Sequence, residues 1–369
     1  MVSRSVRHAT PTRATTTSFF DTDRVTAADA LTRAQHIAFA PMVHQASRAL
    51  RTLGILAAAE RKGGATQAAI VEQTGVSVYG VRVLLEAGLG IGLLTCTEGV
   101  YELTKTGWFM LHDRMTIANM DFAHDVCYEG MFALEESIVQ GKPAGLGVFG
   151  DWDTIYQALP HLPPPAKRSW FAFDHLYSDD AYPLVMPLIA KHGPRSILEI
   201  GGNTGRFALH CLRHDPGIRI GIVDLPETAD VAEAAIRAQG LADRVTIHKA
   251  NMLDAQQSLP KGYDAVWMSQ FLDCFSEDEI VSILTKVRQV LGDETPVFIL
   301  EPFWDRQRRE VSAFCLQMTS LYFTSLANGN SQMYRSELFL ELIAKAGLRV
   351  AEQVDDIGIC QTLLVCRKA

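Results

Sequence analysis

Ile197-Leu198-Glu199-Ile200-Gly201-Gly202-Asn203-Thr204-Gly205 reads as a short strand that runs into a glycine-rich turn and out into a helix. The strand is expected over Ser196 to Ile200 and the helix from about Arg206 to His214. Gly201 and Gly205 permit a tight turn and let a ligand come close to the backbone. Such a turn is shared by several nucleotide-binding folds, so it does not name its ligand. The spacing lacks the further glycine that seats a pyrophosphate on a helix N-terminus, and Glu199 adds negative charge just before the turn. Both features suit a ligand with cationic groups better than one carrying phosphates.

Outward from this turn the chain alternates strand and helix. Strands are expected at Ile218 to Asp224, Val245 to Lys249, Ala265 to Ser269 and Val297 to Leu300, with helices at Thr228 to Gln239 and Asp278 to Leu291. That rhythm builds a doubly wound, mostly parallel sheet, so the fold class is α/β with a Rossmann-like domain. Two further runs, Arg349 to Val354 and Thr362 to Cys366, have no room for a helix between them. One of the seven strands should therefore run antiparallel. Asp224 ends the second strand, where a carboxylate can accept both hydroxyl hydrogens of a ribose. Asn251 and Met252 follow the third, where a polar and an apolar side chain could hold an adenine.

Upstream, Ala27 to Leu94 shows helical spacing of its apolar residues. Thr66 is placed to cap a helix over Gln67 to Gln73, Gly75 to make a turn, and Ser77 to cap a second helix over Val78 to Ala87. Leu93 to Cys96 and Val100 to Leu103 flank Thr97-Glu98-Gly99 as a hairpin. Helix, turn, helix, hairpin is a winged helix. Aromatic-rich helices follow from Thr116 to Val139, then a glycine- and proline-rich stretch, then helix again from Lys167 to Ala190. The expected division is a disordered start at 1–24, a winged-helix domain at 25–112, a helical linker at 113–190 and the sheet domain at 191–369.

Composition narrows the classes. With 48% hydrophobic and 21% charged residues the chain is of ordinary globular type. A net charge of -8 repels nucleic acid and anionic membrane, and no apolar run reaches the ~20 residues of a bilayer span. Seven scattered cysteines without a C-x-x-C pair, and histidines without ligand spacing, point to a reducing cytoplasm and to no metal site.

These motifs resemble the two-domain S-adenosylmethionine-dependent small-molecule methyltransferases, mostly O-methyltransferases, of plant phenylpropanoid and bacterial antibiotic or pigment pathways. The likeness runs from about Ala34 to the C-terminus. It rests on the winged helix, the glycine turn, Asp224-Leu225-Pro226, the stretch from Phe271 to Glu279, Glu301-Pro302 and Arg335-Ser336-Glu337. The resemblance implies a homodimer through the N-terminal domain, not DNA binding. It places the cofactor against Glu199, Gly201, Gly202, Gly205, Asp224, Leu225, Asn251, Met252 and Gln270, with S-adenosylhomocysteine as its product and no metal. Asn251 stands where the family usually has aspartate.

The catalytic pattern departs from the family. Where O-methylating members carry Leu-His-Asp-Trp, this chain has Leu272-Asp273-Cys274-Phe275. Of the two acids that orient the family's histidine, one matches Glu301 and the other falls near Tyr334. A phenol of pKa ~10 lies ~3.5 units above a histidine but ~6 above a free aspartate, so Asp273 starts as the weaker base. Burial beside Glu301 would raise a carboxyl pKa and narrow that gap. Three readings of Asp273 stand: base or hydrogen-bond acceptor for a substrate hydroxyl, cap of the helix beginning near Ser276, or remnant of a lost activity. His175 and His124 are alternative bases. Phe122, Tyr128, Phe173, Met318, Tyr322 and Tyr334 are candidates for an apolar acceptor pocket, with Leu316, Met318 and Tyr322 on one helix face. The expected activity is methyl transfer to oxygen or carbon of a small aromatic substrate. The alternatives are a silent scaffold, or a winged-helix regulator whose recognition helix would offer only Arg82 as a cation.

Overall fold

The computed structural model describes residues 19–369. The expected disordered start therefore falls largely on residues 1–18, outside that range. Two compact units emerge.

The N-terminal unit comprises Asp23–Tyr128 and Pro163–Leu176. It holds α1 (Ala27–Ala38), α2 (Ala40–Thr52), α3 (Ile55–Ala59), α4 (Gln67–Thr74), α5 (Val78–Ile91), α6 (Lys105–His112) and α7 (Arg114–Phe122). Strands β1 (Ala65–Thr66), β2 (Leu94–Thr97) and β3 (Val100–Leu103) form an antiparallel sheet in the order β1-β3-β2. Thr66 and Ser77 cap α4 and α5 through hydrogen bonds from Ala69 N and Gly80 N, and Gly75 turns between them with φ +69°. The winged helix is present as expected. Helix α5, however, runs four residues past Ala87 and ends on the left-handed Gly92 (φ +82°), while Gly88 packs close to the wing: a Cβ there would lie 2.8 Å from Leu94 Cδ1. Leu50, Ile55, Ile70, Val81, Leu85 and Leu94 make the core. The chain leaves α7 through a π-helical turn at Ala123–Cys127.

The second unit comprises Glu129–Leu162 and Tyr177–Ala369, with the described residues before Asp23. Helices α8 (Leu134–Gln140), α9 (Ile155–Ala158), α10 (Pro164–Asp179, which joins the units) and α11 (Tyr182–Ala190) precede the sheet. Then come β4 (Ser196–Ile200), α12 (Arg206–His214), β5 (Arg219–Asp224), α13 (Pro226–Ala238), β6 (Val245–Lys249), β7 (Ala265–Ser269), α14 (Glu277–Val290) and β8 (Val297–Pro302). The chain ends in α15 (Glu310–Tyr322), α16 (Ser336–Lys345), β9 (Leu348–Ile357) and β10 (Gln361–Lys368). The seven strands lie in the order β6-β5-β4-β7-β8-β10-β9, with β10 antiparallel to both its neighbours.

Strand alternation divides the core. Leu198, Val266, Met268, Val297, Ile299 and Leu364 pack toward α14 and α16, while Ile197, Trp267, Phe298, Leu300 and Val365 pack toward α11, α12 and α13. Trp267 stacks on Phe207 at 4.1 Å. Full burial of each such side chain contributes about 1.5–3 kcal/mol. The order of winding reverses between β4 and β7, and in open α/β sheets that reversal opens a crevice at the carboxyl ends of the strands. Among the described residues no single helix is long and apolar enough to cross a membrane.

Candidate active site

The glycine turn sits at the carboxyl end of β4, on the reversal point. Gly201 (φ +78°) and Gly205 (φ +76°) are left-handed, as the tight turn requires. At Gly201 the space a Cβ would fill holds the Phe271 ring, with Cδ2 2.3 Å away. That glycine therefore admits an aromatic ring from the turn after β7, a residue the sequence reading passed over. A Cβ at Gly202 would lie 2.5 Å from Ile222 Cγ2 and 3.5 Å from the Glu199 carboxyl carbon. The backbone N–H groups of Asn203 and Leu225 donate to the two Asp224 carboxyl oxygens at 2.8 and 2.7 Å, tying the turn to the end of β5. Burial pushes Asp224 up to about 6, against the downward pull of those two hydrogen bonds. Glu199 is buried, held well above the usual carboxylate range by burial and by Asp224 beside it.

These residues fit S-adenosylmethionine. Glu199 Oε2 and Ser269 Oγ are buried without a hydrogen-bond partner among the described residues, at the carboxyl ends of β4 and β7. Two acids placed together there disfavour each other and welcome positive charge. Each Asp224 oxygen keeps acceptor capacity for a ribose hydroxyl. Three further residues expected at the cofactor are placed as follows. Met252 is buried in the apolar core with Val266 and Leu284. Asn251 is exposed, and its Oδ1 accepts from Leu253 N at 2.9 Å, which leaves the NH2 end for a ligand. Gln270 (φ +46°) turns its side chain to Gln361, whose Nε2 donates to it at 3.2 Å.

The turn after β7 carries the second half of the site. Asp273 lies in a short 3-10 turn, Leu272–Cys274, and is 3% exposed. It does not cap the next helix: Ser276 does, in a capping box with Glu279. Glu301, on β8 and 1% exposed, accepts from Phe271 N at 3.0 Å and Leu272 N at 2.8 Å, while its Oε2 has no partner among the described residues. Asn328 Nδ2 donates to Cys274 O and the Tyr334 hydroxyl to Phe275 O, both at 2.6 Å. Glu301, Asn328 and Tyr334 thus clamp one five-residue turn. Burial pushes Asp273 up to about 7, and burial together with the Asp273 charge holds Glu301 well above its usual range. The two carboxyls titrate as a pair that retains a proton near neutrality. Tyr156, on α9, sets its buried hydroxyl against the Cys274 thiol within this cluster, and no sequence signal marked it. It lies in a short stretch between Gly150 and Pro160, and that stretch reads as loop.

The expected pocket residues divide. Phe122 and Phe173 stack at 4.0 Å in the N-terminal unit. There Tyr128 donates its hydroxyl to Pro41 O and stacks on His44. His124 meets Gln45, and His175 lies 5.6 Å from the Phe171 ring. In the sheet unit Tyr322 is buried, but Met318 is 44% exposed while Leu316 is buried. Residues two apart on a helix lie about 200° apart around its axis, so Leu316 and Met318 cannot share a face. Tyr334 belongs to the core and spends its hydroxyl on the turn rather than on a pocket. Among the described residues no group of three or more His, Cys, Asp or Glu is placed to hold a metal.

Comparison with known proteins agrees with the two-part fold. The Dimerisation2-like domain profile matches residues 32–101 and the O-methyltransferase domain profile residues 185–349. The chain is 26% identical over 320 residues to the L-tyrosine C(3)-methyltransferase of Streptomyces lavendulae, covering 84% of this chain and 85% of the relative. It is 26% identical to the demethylspheroidene O-methyltransferase of Cereibacter sphaeroides over 68% of this chain and 64% of that one. In fold it is similar to the S-adenosylmethionine-dependent methyltransferase SibL in its apo form, with a TM-score of 0.71 at 21% identity over 92% of this chain and 99% of that one. The O-methyltransferase NcsB1, solved with S-adenosylmethionine and 2-hydroxy-5-methyl naphthoic acid, gives 0.65 at 22% identity over 88% and 96%.

Proposed function

Because the chain belongs to the two-domain S-adenosylmethionine-dependent small-molecule methyltransferases, we propose that its acceptor is a small phenolic compound of secondary metabolism, deprotonated by Asp273. The observation that carries this reading is the buried Asp273–Glu301 pair at the carboxyl ends of β7 and β8, beside the glycine turn. When bound, S-adenosylmethionine supplies an electrophilic methyl on a positively charged sulfur. Asp224 would hold the ribose hydroxyls, Asn251 the adenine edge, and the Glu199–Asp224 field the cationic end.

Asp273 supplies what the family's histidine would. At about 7 its base strength approaches that of an imidazole at ~6.5, so the substrate hydroxyl faces a base of near-normal power. Burial sets that direction, against the downward pull of the hydrogen bond from the Cys274 thiol, and the Asp273 charge in turn holds Glu301 up. His124 and His175 belong to the N-terminal unit and have no proton-transfer role in this reading. Exposed Leu31, Ile37, Phe39 and Met42 on α1 and the start of α2 supply an apolar surface for a second copy, so the working form is a homodimer.

Calorimetric titration with S-adenosylhomocysteine, followed by incubation with phenolic acceptors and product NMR, tests the reading. Micromolar binding and a new methyl on a phenol are expected. Absence of binding by the folded protein would overturn it.

A further inference from the structure

Tyr156 has a hydroxyl that the fold does not use. Its ring is part-buried, but the oxygen is sealed from solvent and has no hydrogen-bond partner of good geometry among the described residues. What it meets is the Cys274 thiol, a weak hydrogen-bonding group, whose sulfur lies 3.4 Å from Asp273 Oδ1. The Asp273 carboxyl also acts on it electrostatically, as does Tyr322. A phenylalanine would fill the same place without burying an unsatisfied polar group, so packing gives no account of this oxygen. The same cluster contains a second orphan, Glu301 Oε2. Orphaned polar atoms around a buried acid are what a site looks like before its polar ligand arrives.

We propose that Tyr156 donates its hydroxyl hydrogen to the phenolic oxygen of the acceptor, opposite Asp273, and that this two-sided hold directs the methyl to an ortho ring carbon. The inference rests on the methyltransferase reading above and adds to it the position methylated. Asp273 takes the phenolic proton, and its new O–H joins the Tyr156 O–H in donating to the phenolate. With its lone pairs engaged from two sides, the oxygen is a poor nucleophile, and electron density is delivered through the ring. A bond forms between the ortho carbon and the methyl carbon as the sulfur–methyl bond breaks, its electron pair staying on sulfur. The ring carbon then loses its hydrogen as a proton to water while Asp273 returns its proton to the oxygen. The sum is one methyl gained by the ring and one proton released.

The test is Tyr156→Phe in the full-length chain, with S-adenosylhomocysteine bound and 4-nitrophenol as the probe, followed through the absorption band of the bound phenolate. Loss of a hydrogen bond to a charged oxygen should weaken phenolate binding at least about tenfold and move the band. Affinity for S-adenosylhomocysteine should stay unchanged, and Tm should change little, because the hydroxyl meets only the weak Cys274 thiol. In turnover of a phenol, the variant should shift product from carbon toward oxygen methylation. Unchanged phenolate binding and spectrum would overturn the assignment, as would a lowered Tm with unaltered phenol affinity. A wild type that binds S-adenosylhomocysteine but no phenol overturns this inference and spares the cofactor reading. One that binds neither overturns both.

Discussion

At Asp273 two effects oppose each other. Burial favours the neutral acid, while the proposed role as base requires the carboxylate, and a value of about 7 lets both forms exist near neutral pH. The rate should therefore rise with pH through about 7, measured as kcat/KM against pH. Asp273→Asn keeps shape and removes the base, so it should lower kcat/KM by about 100-fold or more without unfolding the protein. Stability has the opposite slope. Between about pH 4 and 7 the folded protein holds a proton on Asp273 that the unfolded chain releases, so Tm should fall as pH rises across that window. Asp273→Asn should flatten that fall. At Asp224 the carboxylate accepts from Asn203 N and Leu225 N, and in the proposed reading it also holds the ribose. Asp224→Ala should weaken S-adenosylhomocysteine binding about tenfold or more by calorimetry, and unchanged affinity would remove the ribose assignment.

Among the elements, the link between the β4 turn and the β7 turn matters most. Phe271 fills the place where Gly201 has no side chain and packs edge-on against Phe275 at 4.8 Å, so cofactor turn and catalytic turn share one contact. Gly201→Ala would put a methyl 2.3 Å from that ring in a left-handed backbone position. We expect about 1–3 kcal/mol of destabilisation, read by denaturant titration, and reduced activity from displacement of Asp273. The turn itself is over-determined by Glu301, Asn328 and Tyr334, which is why an acid can be held there at 3% exposure. Asn328 stands at the end of a π-helical turn, Phe323–Ala327, and such turns recur at functional sites.

For the whole molecule, the N-terminal unit leaves α1 without a buried residue, and Leu31, Ile37, Phe39 and Met42 face solvent on a lone chain. A helix with so little to bury against is not stable on propensity alone, so a second copy is the economical explanation. Light scattering should give twice the 40.7 kDa of one chain. Phe39→Asp combined with Met42→Asp should shift the mass toward one copy, and a chain that stays monomeric before substitution would contradict the homodimer.

The sequence by itself determined the two-part architecture, the seven strands with one reversed, the winged helix, the glycine turn and the identities of Asp224, Asp273 and Glu301 as the acids to watch. Those features are local: periodicity, turn residues and caps act over a few neighbours, and a strand-end acid is marked by its place in the run. Tertiary structure decided the rest. It made Met252 and Tyr334 core, split Leu316 from Met318, gave the helix cap to Ser276, and brought Phe271 onto Gly201 and Tyr156 onto Cys274. It also buried Asp273 beside Glu301, which raises both carboxyls above their usual range. Burial, orphaned atoms and the repulsion of two carboxyls depend on residues far apart in the chain, about which local pattern carries no information.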